Sequence, residues 1–143
     1  MDLGLADRVF VLTGASRGLG FAVAQQLVAD GARVVISSRD ADRVAAATEQ
    51  LGGAAQAIGV AADLGDPATA DRLVAMAMDR FGRLDGALLS VGGPPPGTAL
   101  AATDEQWLTA FQTIFLGAVR TTRTVAAGLT EGGAIALVLS TSA

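Results

Sequence analysis

Apolar residues along this chain recur with two different spacings. Val9 to Leu12, "RVVIS" (Arg33 to Ser37), a segment within "AIGVAADL", "LDGALLSV" and "AIALVLS" are short aliphatic and β-branched runs, too short for helices, and they read as strands. Between them the spacing lengthens to that of a helix. Leu19, Val23, Leu27 and Val28 form such a stripe, which Gly31 ends. Asp40 caps a second helix that runs through Leu51, and Asp66-Pro67 opens a third that reaches about Phe81. After the Pro/Gly loop "GGPPPGT", Thr103 and Gln106 make a capping box that starts a long helix to about Ala127.

Five apolar strands alternating with four helices predict an α/β protein: a doubly wound parallel sheet of the Rossmann type, covered by helices on both faces in three layers. At 143 residues the chain is expected to be one domain, 1–143. Strand "AIALVLS" is apolar on both faces and expects further elements to cover it. The chain is therefore expected to be the N-terminal part of a longer protein, its fold cut after the fifth strand.

Composition narrows the function. A net charge of −4 argues against a nucleic-acid surface, and the apolar stretches are broken well before the ~20 residues that cross a bilayer. With no cysteine and no leader-like start, the expected compartment is the cytoplasm. All ten basic residues are arginines, and there is no Lys, Tyr, His or Cys.

The richest stretch is "TGASRGLG", which places glycines 14, 18 and 20 between a strand and a helix. Glycines there permit a sharp turn, let the backbone approach a pyrophosphate, and allow close helix packing, with the free N–H groups at the helix start facing the phosphates. Ser16, Arg17 and Leu19 share this loop and are candidate cofactor contacts. The bland alternative is a tight βα turn.

Thr13, Gly14, Gly18 and Gly20 fit the T-G-x-x-x-G-x-G pattern, and by it the chain resembles the short-chain dehydrogenase/reductase family along its whole length. The resemblance implies that Asp63 of "AADL" hydrogen-bonds the adenine amino group while Leu64 lines the ring; otherwise Asp63 is a turn carboxylate. It places Ser90 and Gly92 of "LSVGG" where the family has Asn-Asn-Ala-Gly, with only the glycine kept. It makes Ser140 the serine that orients the substrate, Thr141 and Ser142 being neighbours open to the same reading. Ile114 falls where the family has an asparagine, and the family's tyrosine and lysine are absent from the chain. The 143 residues alone are accordingly expected to be inactive.

Cofactor choice turns on "SSRD" after the second strand. Ser38 and Arg39, with Arg17, suit a 2′-phosphate, which favours NADP over NAD. Asp40 stays open as a partner of Arg39, a ribose ligand or the cap of the next helix. The resulting expectation is an NADP-dependent oxidoreductase of a small carbonyl or secondary alcohol, homo-oligomeric, without a metal. The alternatives are a dinucleotide-binding relative with a sensing role, or a structural module. "GGPPPGTAL" either borders the substrate entrance or is a stiff connector.

Overall fold

A computed structural model describes residues 1–94 and 96–140. Its strands are β1 (Val9–Thr13), β2 (Arg33–Ser38), β3 (Ala57–Ala61), β4 (Gly86–Leu89) and β5 (Ala134–Leu137). All neighbours run parallel, in the order β3-β2-β1-β4-β5, so the chain winds outward from β1 first to one side and then to the other. This is the doubly wound order anticipated from the alternating pattern.

Helices α1 (Gly18–Ala29) and α2 (Ala41–Gln50) follow β1 and β2, while α3 (Thr69–Phe81), α4 (Asp104–Ala110) and α5 (Gly117–Gly128) follow β3 and β4. Because strand side chains alternate between faces, β1 to β4 each feed two cores. Val9, Val11 and Val35 pack with Leu73 and Ala77 of α3 and Val125 of α5. Leu12, Val34 and Ile36 pack with Ala24 of α1 and Val44 and Ala47 of α2. Removing a side chain such as Leu73 or Ile36 from water contributes about 2 kcal/mol each.

Three elements depart from the sequence expectation. In α1 the expected stripe splits: Leu27 and Val28 pack on the core, but Leu19 is 72% exposed and Val23 points largely outward, because Gly20 and Ala24 form the face pressed to the sheet. The helix expected from Asp66-Pro67 begins later, at Thr69, after the Asp66 carboxylate accepts a hydrogen bond from the Ala68 N–H. The long helix begins as expected, with Thr103 Oγ1 and the Gln106 side chain bonding each other's backbone N–H. It then passes through a π-helical segment, Phe111–Leu116, before α5. Strand β5 is exposed along most of its length, with Ile135 alone of its four residues half-buried, against the core that α3 and α5 cover.

At the amino-terminal edge of the sheet, buried Asp85 fixes β4 to β1. Its carboxylate accepts from the Val9 N–H at 2.9 Å, from Arg8 at 3.0 Å, from Arg83 at 2.6 and 2.7 Å, and from Thr130 Oγ1 at 2.8 Å. Burial opposes ionisation there, but the hydrogen bonds from Arg83, Val9, Thr130 and Arg8 outweigh it and hold the carboxyl well below its usual range. No sequence motif announced this cluster.

Candidate functional site

A cleft of about 950 Å³ opens at the carboxyl ends of β1, β2, β3 and β4, on the edge opposite Asp85. That is where a doubly wound sheet parts its crossovers, and where ligands of such folds bind. The loop between β1 and α1 forms its floor. Gly14 has φ +61°, and a Cβ there would lie 2.4 Å from the Ser90 carbonyl oxygen, so only glycine lets β1 and β4 end this close together. Thr13 locks the same junction: its hydroxyl donates to the Ser90 carbonyl at 2.9 Å and accepts from the Ser90 N–H at 3.0 Å. Gly18 also has positive φ, yet a Cβ there would meet nothing within 4 Å, which leaves the backbone open to a ligand. Gly20 is tight for another reason: a Cβ would lie 2.7 Å from the Gly14 carbonyl oxygen, so α1 rests directly on the loop.

The start of α1 is electrostatically bare. Its N-cap is Arg17, whose side chain makes no capping bond, and its first turn holds no acidic residue. The positive end of the helix and its free N–H groups therefore face the cleft uncompensated, an arrangement that favours an anion. Ser16, Arg17, Gly18 and Leu19 all border the opening.

At the end of β2, the Ser38 hydroxyl oxygen is buried and has no hydrogen-bond partner among the described residues. Its own carbonyl accepts from the Ala62 N–H at 2.8 Å, which fixes the residue in place. A buried hydroxyl without a partner is rare and calls for a water, an ion or a ligand group to meet it. Arg39 and Arg17, both exposed on the cleft wall, make no ion pair with any described residue. Asp40 does not pair with Arg39. It caps α2, its Oδ1 accepting from the Arg43 N–H at 3.0 Å, and its Oδ2 pairs with Arg43 Nε at 3.2 Å. Two guanidinium groups without an ion-pair partner and a hydroxyl without a hydrogen-bond partner, among the described residues, thus line the cleft and could serve an anion as donors.

Asp63 and Leu64 border the cleft beyond β3. Asp63 Oδ1 accepts from the Gly65 N–H at 2.8 Å, as a turn carboxylate does, and its side chain is exposed beside the cleft. Leu64 is held from behind by Gly117, where a Cβ would lie 2.6 Å from the Leu64 carbonyl oxygen. Ser90 and Gly92 follow β4, with Gly93 and Pro94 beside them; Pro95 lies outside the described residues. Every residue expected to touch cofactor thus borders one opening.

Ser140 does not. It is exposed beyond the end of β5, and Val138, two residues earlier, is the last of that segment on the cleft wall. Thr141 and Ser142 lie outside the described residues. Sequence reasoning also missed a wall: Glu105, Thr109 and Thr113 face the cleft from α4 and the π-helical segment, with Ile114 next to them. Their spacing of four was readable as a polar helical stripe. Ile114 gives this wall an apolar surface where the resemblance calls for an amide.

The fold defines a doubly wound α/β protein of the Rossmann type, with a cleft at the carboxyl ends of its strands. The family model described as short chain dehydrogenase matches residues 8–143, and the chain belongs to that family. Among its relatives, the L-rhamnose 1-dehydrogenase (NAD(P)(+)) of Azotobacter vinelandii is 37% identical over 149 residues, covering 97% of this chain and 57% of the relative. A short-chain dehydrogenase/reductase structure from Brucella melitensis superposes with a TM-score of 0.89 at 28% identity, over 96% of this chain and 56% of that one. L-Sorbose reductase from Gluconobacter frateurii, complexed with NADPH and L-sorbose, superposes with a TM-score of 0.81 at 31% identity, over 96% and 54%. The chain spans about half the length of these relatives.

Proposed function

We propose that this chain is the cofactor-binding part of an NADP(H)-dependent oxidoreductase acting on a carbonyl or a secondary alcohol. NADP(H), when bound, supplies or accepts the hydride. The loop from Gly14 to Gly20 and the start of α1 hold the pyrophosphate; Arg17, Ser38 and Arg39 hold the 2′-phosphate. Asp63 accepts from the adenine amino group with Leu64 against the ring, and Ser90 and Gly92 border the nicotinamide end; Ser140, which lies off the described cleft wall, is assigned to the substrate by its match to the family's serine alone. The observation that carries this reading is the buried Ser38 hydroxyl, without a partner among the described residues, beside Arg39 in a cleft where the adjacent carboxylate, Asp40, is engaged by Arg43.

The substrate is a small molecule, and the NAD(P)(+) dependence and the NADPH complex named for two relatives support the cofactor class. An assembly of identical chains is supported by Trp107, Leu108, Phe111 and Phe115, all at least half exposed on one helical stretch, with the two phenylalanine rings stacked 5.1 Å apart. Having no tyrosine, lysine, histidine or cysteine, the 143 residues by themselves bind cofactor without turning it over.

The test is a calorimetric titration of the chain with NADPH and with NADH. NADPH should bind at least about tenfold more tightly, the worth of one or two charge-assisted hydrogen bonds to the extra phosphate. Equal affinities, or tighter NADH, would overturn the cofactor reading. A parallel assay with a panel of ketones should give no NADPH oxidation above background, and turnover would overturn the statement that the chain alone is inactive.

A further inference from the structure

Arg43 borders the cleft one helical turn from the end of β2, and it takes both oxygens of Asp40: the backbone N–H binds Oδ1 and the guanidinium binds Oδ2. An unengaged carboxylate at this strand end is what accepts the ribose hydroxyls of NAD, and its charge repels a 2′-phosphate. Resting on the NADP(H) reading above, we propose that Arg43 is a positioning residue for cofactor choice: it occupies and neutralises Asp40, so that the phosphate end of the cleft meets only Arg17, Arg39 and Ser38. Arg43 acts through Asp40 and does not itself contact the phosphate.

Three features on this short segment argue for that division of labour. Arg39 is adjacent to Asp40 in sequence, yet the ion pair forms with Arg43, so α2 geometry leaves Arg39 free. Capping by Asp40 fixes its backbone and with it the direction of the carboxylate. Both side chains are about half exposed, 54% for Arg43 and 47% for Asp40, so the pair is weak enough to bias cofactor choice by a modest factor without serving as a main support of the fold.

The experiment measures dissociation constants for NADPH and NADH with the whole chain carrying R43A, R43Q, R43K, D40S or D40S/R43A, each first verified as folded by circular dichroism. Serine at position 40 keeps a helix cap while removing the charge. R43A and R43Q should each weaken NADPH about threefold and tighten NADH about threefold, a fall of about tenfold in the ratio. R43K should retain the parent ratio within about twofold, and in the D40S background loss of Arg43 should move it by less than about twofold. An unchanged ratio in R43A and R43Q, beside a parent that prefers NADPH, would overturn this inference alone. A loss of NADPH affinity that persists in D40S/R43A would also overturn it, since Arg43 would then touch the phosphate directly. Preference of the parent chain for NADH, or no binding of either dinucleotide, would bring down the cofactor reading and the inference together.

Discussion

At the amino-terminal edge of the sheet, Asp85 is 4% exposed and draws donors from Arg8, Arg83, Thr130 and the Val9 backbone. At the carboxyl edge, among the described residues, Arg17 and Arg39 face a cleft with no ion-pair partner and Ser38 buries a hydroxyl with no hydrogen-bond partner. The same sheet thus ends in a closed electrostatic network on one side and an open one on the other. A satisfied buried charge holds strands together, whereas unsatisfied donors that line a cavity are a demand for a ligand. Substitutions at the first edge should therefore change stability and leave binding alone, and substitutions at the second should do the reverse.

The harshest test of this division falls where the two roles meet. Gly14→Ala should destabilise the fold by about 3 kcal/mol or more and abolish dinucleotide binding, since strain at positive φ adds to a Cβ 2.4 Å from a carbonyl oxygen that Thr13 holds in place. Gly18→Ala, with the same sign of φ and open space around it, should cost about 1–2 kcal/mol while still weakening binding. Thermal melts with and without NADPH separate the two.

Asp85→Asn should lower stability by about 2–3 kcal/mol near neutral pH without altering NADPH affinity. Its pH dependence has a definite sign. Because the folded-state carboxyl is held well below its usual range, its stabilisation is present above the unfolded value of about 3.9 and fades as pH falls from there toward the folded value. Urea melts of parent and D85N chains should accordingly converge as pH drops from about 5 toward 2. A gap that stays constant through that window would mean that the ionised carboxylate is not what matters.

Arg39→Glu should weaken NADPH by about 10- to 100-fold, change NADH far less, and leave the melting temperature nearly unmoved. Thr103→Ala, which removes half of a capping box far from both edges, should cost about 1 kcal/mol and serves as a control for a purely local effect.

Much of the carboxyl edge was legible in the sequence, and little of the amino edge was. The glycine spacing, the strand ends and the Asp40 and Thr103 caps are local signals: each turn or cap is made by residues within a few positions of one another, so a linear string records it. Asp85 and Arg8 stand 77 positions apart, and nothing in the composition of either segment points to the other. Arg43 escaped for a subtler reason, because three candidate roles for Asp40 left its partner undecided until backbone geometry chose. The outward turn of Leu19 and Val23 was hidden by periodicity itself, which sees apolar residues but not that Gly20 and Ala24 bring α1 closest to the sheet. The π-helical segment at Phe111–Leu116 leaves the apolar pattern intact and so left no trace.

The central claim, that the open edge of the sheet is built for a 2′-phosphate, is tested most directly with the adenosine half of the cofactor alone. Calorimetric titration of the chain with adenosine 2′,5′-bisphosphate and with adenosine 5′-monophosphate removes the nicotinamide end and any substrate from the comparison. The bisphosphate should bind at least about tenfold more tightly, with that advantage lost in Arg39→Glu. Equal binding of the two nucleotides by the parent chain would contradict the account.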